Sequence, residues 1–176
     1  VILAYDASTV AMGFAHGGPV DPAPRGGVWK LAGCDEHLFD HTLGSVGRSL
    51  VQQVQFLRPR AVYLEAPMSK VDRNHSEASA AALAQMTGGI RMQLGMLHIR
   101  VVMCSVFNVR KAFGVNPYLP RKEAKEAVQS LCDNLGWSYA NDDESDAKAV
   151  WAYGMAREYP GWKPNQPQLF SVGGTR

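Results

Sequence analysis

Apolar residues in this chain come in short runs that stop at acids. Val1-Ile2-Leu3-Ala4-Tyr5 ends at Asp6, and after Ala7-Ser8-Thr9 the pattern resumes in Met12-Gly13-Phe14-Ala15, as in a hairpin. Ala61-Val62-Tyr63-Leu64 is a second run, ended by Glu65 and then by Ala66-Pro67, where proline cannot continue a central ladder. Asp142-Asp143-Glu144-Ser145-Asp146 precedes Ala147 to Tyr153, a helix-forming stretch whose acids suit the positive end of the helix dipole.

These periods predict strands near 1–6, 11–17 and 27–33, with the Gly- and Pro-rich segment from Gly17 to Gly27 as a connection. A helix near 43–58 leads to a strand at 61–66, a long helix at 76–97 and a strand at 99–103. Helices follow near 106–114, 120–135 and 144–159. A three-strand meander followed by alternating helices and strands is an α/β pattern with a mixed sheet. Residues 1–159 read as one domain and 160–176, rich in Pro and Gly, as a tail; no internal repeat is present.

Composition narrows the class. At 176 residues the chain is long enough to bury a substantial core, and 46% hydrophobic residues with a mean hydropathy of -0.17 predict a soluble globular protein. No apolar stretch approaches the roughly 20 residues that span a bilayer, and no signal-peptide pattern opens the chain, so a cytoplasmic location is expected, the host cytoplasm if the protein is phage-encoded. The sequence starts in a strand at Val1 without Met, which predicts that residues precede it. Cys34, Cys104 and Cys132 are odd in number and lack a C-x-x-C pair, so they read as reduced packing thiols. His37 and His41 stand four apart, but Leu38-Phe39-Asp40 between them does not make H-E-x-x-H, and zinc is not expected.

The chemistry lies in Asp6, Glu65, Asp143 and Asp146. A strand-end acid is usually a turn residue, and acids in a first helical turn are usually caps. Glu65 shifts that balance, because a carboxylate after four apolar residues must be paired, hydrated or metal-bound to offset desolvation. Asp143 and Asp146, three apart, share a helix face, and a fold that gathers all four acids makes an oxygen-lined site for hard divalent cations. Net charge is only +2, but setting those four acids aside leaves 12 against 18 basic residues. The bases cluster as Arg110-Lys111 and Arg121-Lys122-Lys125, although Lys122 with Glu126 also fits an ion pair on a solvated helix face.

In order and spacing the chain resembles the RuvC family of Holliday-junction resolvases. The residues that carry the likeness are Asp6 with Gly13 seven residues on, strand-terminal Glu65, Gln85-Met86-Thr87-Gly88-Gly89 inside a helical stretch, and Asp143-x-x-Asp146 opening the last long helix. The resemblance covers residues 1 to about 157. It implies a ribonuclease H-like fold, an α/β mixed sheet with helices on both faces, and a homodimer that nicks four-way or related branched DNA. Asp6, Glu65, Asp143 and Asp146 would be both catalytic and metal residues, holding two Mg2+ ions with Mn2+ as a substitute. Lys70, Arg73, Arg110, Lys111, Arg121, Lys122 and Lys125 would contact DNA, with Met68 as an apolar wedge.

The chain departs from that family in having Ala7-Ser8 where Pro-Gly is typical, a longer segment from Glu65 to Gln85, and Ser145 rather than a histidine near the last acids. The divergence reads as phage-type. Two further readings compete. One is a nuclease of the same fold acting on RNA–DNA hybrids or other branched nucleic acid; the other is a branched-DNA binding module without catalysis. Asp6-Ala7-Ser8-Thr9 also resembles the first phosphate loop of actin-like and sugar-kinase ATPases, but those enclose a nucleotide between two such domains.

Overall fold

The computed structural model describes residues 1–31, 36–67 and 77–164. Five strands, β1 (Ile2–Ala7), β2 (Ala11–Gly17), β3 (Arg25–Lys30), β4 (Ala61–Glu65) and β5 (Val101–Cys104), form one sheet in the order β3-β2-β1-β4-β5. The β1, β2 and β3 meander is antiparallel, while β1–β4 and β4–β5 are parallel. Five helices complete the described fold: α1 (Glu36–Leu57), α2 (Glu77–Met96), α3 (Val106–Phe113), α4 (Arg121–Asn134) and α5 (Asp142–Glu158).

The apolar runs are continuous rather than alternating because both faces of the sheet are covered. Leu3, Tyr5, Val62 and Leu64 point to one side and pack with Val46, Leu50 and Val54 of α1 and Met86, Ile90 and Leu94 of α2. Ile2, Ala4, Ala61 and Tyr63 point to the other side, against Val109 of α3, Val128 and Cys132 of α4, and Trp151 and Met155 of α5. Strand parity then decides where the strand-end acids go. Asp6 continues the series of Ile2 and Ala4, and Glu65 that of Ala61 and Tyr63, so both face the α5 side. The register Tyr5↔Leu64 brings them to adjacent positions at the carboxyl ends of β1 and β4.

On this face β2 carries the small residues Ala11, Gly13, Ala15 and Gly17, and α5 lies directly on them. A Cβ at Gly13 would meet the Asp143 carbonyl oxygen at 2.0 Å, and one at Gly17 would meet the Trp151 ring at 3.0 Å. The helix is buried along most of its length, from Ala147 to Met155. At its far end Glu158 accepts from the Tyr63 hydroxyl at 2.7 Å and pairs with Arg60 at 3.4 Å and with Arg100, tying α5 to the starts of β4 and β5.

Two elements differ from expectation. α1 begins at Glu36 rather than near 43, and Thr42, just ahead of the expected start, is buried in line with Val46, Leu50 and Val54, the stripe that holds the helix to the sheet. β3 starts at Arg25, within the supposed connection, and ends at Lys30. Gly26 belongs there because a Cβ would stand 2.5 Å from the Phe14 carbonyl and 3.0 Å from a Glu144 carboxylate oxygen. Cys104 and Cys132 are free and buried, as packing thiols should be, and burial pushes both up to about 12; Cys34 lies outside the described residues.

Candidate active site

Asp6, Glu65, Asp143 and Asp146 line one cavity of about 360 Å³ at the carboxyl ends of β1 and β4. Asp6 comes from β1 and Glu65 from β4; Asp143 and Asp146 come from the first turns of α5. Ser8 and Thr9 form part of the wall, as do Ser79 and Leu83 of α2 and Val106 of α3. Arg110, Leu119, Arg121 and Lys125 also line it.

The start of α5 is built to hold two of these acids. Asn141 is the N-cap, its side chain accepting from the Glu144 amide at 3.1 Å and donating to Asp143 at 3.3 Å. Capping therefore falls to Asn141 and leaves Asp143 and Asp146 for the cavity. Ser145, between them, is fully buried and donates to the Asp142 carbonyl at 2.9 Å, so it faces away from the site. Glu144 also points inward. It pairs with Lys148 at 3.0 Å, accepts from the Ala140 amide at 3.0 Å, and Lys148 donates in turn to the Ser138 carbonyl. Every charge in that buried pair has a partner, and it anchors the chain just before α5.

Electrostatics link the four carboxylates. Burial, then Glu65, Asp146 and Asp143, raise Asp6 well above the usual carboxylate range. Glu65 is pushed up to about 7 by burial and by Asp146, against the lowering effect of Arg110, Lys125 and Arg121. Asp146 is raised to about 6, again chiefly by burial. Asp143 is raised by burial and by Asp142. Asp142 itself is held low by a hydrogen bond from Lys125, whose amine also stands 3.9 Å from Asp146. Carboxylates crowded in this way resist ionisation, and a positive charge placed among them would offset that cost.

Among the described residues, no three Asp, Glu, His or Cys side chains converge tightly enough to enclose a metal ion as they stand. The donor set nonetheless fits a hard dication: four carboxylates, which accept and never donate when ionised, on three elements around one cavity.

The basic residues divide. Arg110, Arg121 and Lys125 line the cavity. Lys111 is exposed, and Lys122 is an exposed side chain 4.0 Å from Glu126, the i,i+4 pair its spacing predicts. Lys70, Arg73 and Met68 lie outside the described residues. Ser79, Leu83 and Leu119 of the cavity wall carry no signal in the sequence, since nothing in a helical or loop pattern says which cavity a side chain borders. The Glu144–Lys148 pair did have a signal, its i,i+4 spacing.

No family model matches the sequence, and no curated protein matches it. Solved structures do. The Thermus thermophilus RuvC structure aligns with a TM-score of 0.62 at 17% identity, over 89% of this chain and 95% of that one. RuvC of the same organism in complex with a Holliday junction substrate aligns at 0.62 and 16% identity, over 90% and 95%. The yeast mitochondrial Holliday junction resolvase Ydc2 aligns at 0.58 and 10% identity, over 89% and 77%. The fold that the resemblance implied is the fold observed: the five-stranded mixed sheet and its helices match the ribonuclease H-like fold of the RuvC and Ydc2 structures, at an identity that marks this sequence as divergent from theirs.

Proposed function

We propose that this chain is a divalent-cation-dependent endodeoxyribonuclease that cuts strands at four-way or related branched DNA junctions. The observation that carries this reading is the meeting of Asp6, Glu65, Asp143 and Asp146 in one cavity fringed by Arg110, Arg121 and Lys125. Its support from outside the chain is the shared fold with a RuvC solved on a Holliday junction. Acids alone would repel a phosphodiester, and a module that only bound phosphate would gain by losing them.

In this reading Asp6, Glu65, Asp143 and Asp146 would hold two Mg2+ ions, Glu65 with Asp143 serving one, Asp146 the other and Asp6 both. The chemistry such ions supply is a lowered pKa for an attacking water and charge neutralisation at the departing 3′ oxygen. The chain's own part is positional. The carboxylates stand on the ends of β1 and β4 and on a buried helix, a rigid frame for their oxygens. Arg110 and Arg121 place positive charge where a scissile phosphate would enter. Lys125 is the counter-charge that keeps Asp142 and Asp146 together. Water rather than a side chain would be the nucleophile, and because the P–O3′ bond is the one that breaks, the products would carry 5′-phosphate and 3′-hydroxyl ends.

A homodimer belongs to the same proposal, since a two-fold axis would set two sites on opposed strands of a junction. Its support is the outer face of α2, where Ala81, Ala84, Gly88, Met92, Gly95 and Met96 are all exposed and a Cβ at Gly88 or Gly95 would meet nothing within 4 Å.

The test is a panel of labelled four-way junctions, forks, flaps, RNA–DNA hybrids and linear duplexes incubated with Mg2+. Junctions should be nicked in preference, and Asp6→Asn and Glu65→Gln should each lower cleavage by orders of magnitude while folding as wild type does. Near-normal nicking by Glu65→Gln would overturn the site.

A further inference from the structure

Two aromatic rings stand exposed next in the chain to residues that line the cavity, Phe107 after Val106 and Tyr118 before Leu119. Phe107, near the start of α3, is 40% exposed, and Tyr118, between α3 and α4, is 81% exposed; their centroids lie 5.4 Å apart with the planes at 75°. Exposing a pair of aromatic side chains forfeits burial that the fold obtains from most of its other rings.

The segment that presents Tyr118 is held at several points. Gly114 closes α3 in a left-handed conformation, with φ at 89°. Val115 beyond it is buried, and the Asn116 side chain accepts from the Tyr118 amide at 3.1 Å. Leu119 packs against the core, and Pro120 precedes α4. The ring is exposed on a backbone that is fixed, so its position is set before any partner arrives.

The surroundings identify the partner. Val106 and Leu119, the chain neighbours of Phe107 and Tyr118, line the cavity with Arg110 and Arg121, while Lys111 and Lys122 stand exposed nearby in sequence. Aromatic faces flanked by cations are how proteins hold unpaired nucleotides: the cations follow the phosphates and each base lies on a ring. We propose that Phe107 and Tyr118 form a stacking platform for an unpaired nucleobase of the DNA strand that enters the carboxylate cavity. Phe107 backs the Tyr118 ring edge-to-face, and the exposed tyrosine takes the base. The assignment of that strand as substrate rests on the nuclease reading; the platform itself rests on the rings and their charges. It favours substrates whose bases are already unstacked at a branch over an unbroken duplex.

The experiment places 2-aminopurine at the branch point of a junction carrying unpaired nucleotides, with a second probe deep in a duplex arm, and uses Asp6→Asn protein so that no strand is cut. Binding should quench the branch-point probe and leave the arm probe unchanged. Tyr118→Ala should lose most of that quench and bind about tenfold more weakly. Tyr118→Phe should keep both, because stacking needs the ring and not the hydroxyl. Melting curves confirm that each variant folds. A Tyr118→Ala variant that quenches fully, a Tyr118→Phe variant that fails like the alanine, or an Asp6→Asn protein that does not quench at all each overturns the platform. Quenching by a protein whose wild type never nicks sustains the platform and denies the nuclease reading.

Discussion

Gly13 lies against the carbonyl of Asp143, so close that a Cβ at Gly13 would stand 2.0 Å from that oxygen. Gly13 is also the cross-strand partner of Asp6. The missing side chain is thus what allows the first turn of α5 to descend beside β1 and bring Asp143 to Asp6. Gly13→Ala should force the helix start outward, costing about 1–3 kcal/mol of stability as overpacking does and lowering nicking further than the loss of folded protein explains. Melting curves beside single-turnover nicking check this. Full activity in a well-folded Gly13→Ala protein would show that the close approach is dispensable.

The crowding of carboxylates links pH to stability. Burial and neighbouring carboxylates push Glu65 up to about 7 and Asp146 up to about 6, so without metal the folded state should bind more protons than the unfolded state from the ordinary carboxylate range up to those values. Unfolding free energy should therefore fall as pH rises through that window and level off above it, the reverse of a salt-bridged acid. Asp146→Asn should be inactive, melt no lower than wild type in chelator at about pH 7, and show a shallower fall. Added magnesium should raise its melting temperature less than that of wild type. An Asp146→Asn protein that melts well below wild type in chelator would make Asp146 a structural residue.

Lys122 and Lys125 lie one turn apart on α4 and should behave differently. Lys122→Ala should weaken junction binding and lower the logarithmic salt slope by about 0.9, the value of one phosphate contact on duplex DNA. Lys125→Ala removes the cation between Asp142 and Asp146, so the protein without metal should lose about 1 kcal/mol and depend more steeply on magnesium. Salt titrations of binding and melting curves in chelator separate the two, and equal behaviour would contradict the difference in their surroundings.

Gly88 tests the dimer. Nothing lies within 4 Å of a Cβ placed there, so Gly88→Lys should leave the monomer fold intact and gain a few tenths of a kcal/mol in helix propensity. It should also prevent two α2 helices from approaching closely. Sedimentation should show wild-type dimers and Gly88→Lys monomers; a wild-type monomer, alone and on a junction, would remove the two-site scheme.

The placing of the candidate acids at strand ends was legible in the residues because strand periodicity is local. Ile2-Leu3-Ala4-Tyr5-Asp6 and Ala61-Val62-Tyr63-Leu64-Glu65 each mark a strand with a carboxylate at its carboxyl end, while the side that carboxylate takes is set by what covers each face of the sheet. The likeness to RuvC added the association of those acids with Asp143 and Asp146, which no local pattern contains. Where β3 began earlier than its local pattern suggested, long-range packing had overridden local preference, as at Gly26, where a side chain would meet the Phe14 carbonyl.

By itself, then, the sequence determined the elements, the acids at their ends and the mixed α/β class, since these depend on side-chain period and turn chemistry over a few residues. Only the tertiary structure decided that Arg110, Arg121 and Lys125 border the carboxylates while Lys111 and Lys122 do not, that Asn141 rather than an acid caps α5, and that Glu144 turns away to a buried Lys148. Those outcomes depend on how α3, α4 and α5 cross the sheet, and that is set by the summed fit of small residues such as Gly13 and Gly17 against the helix, a property of the whole core rather than of any one stretch of chain.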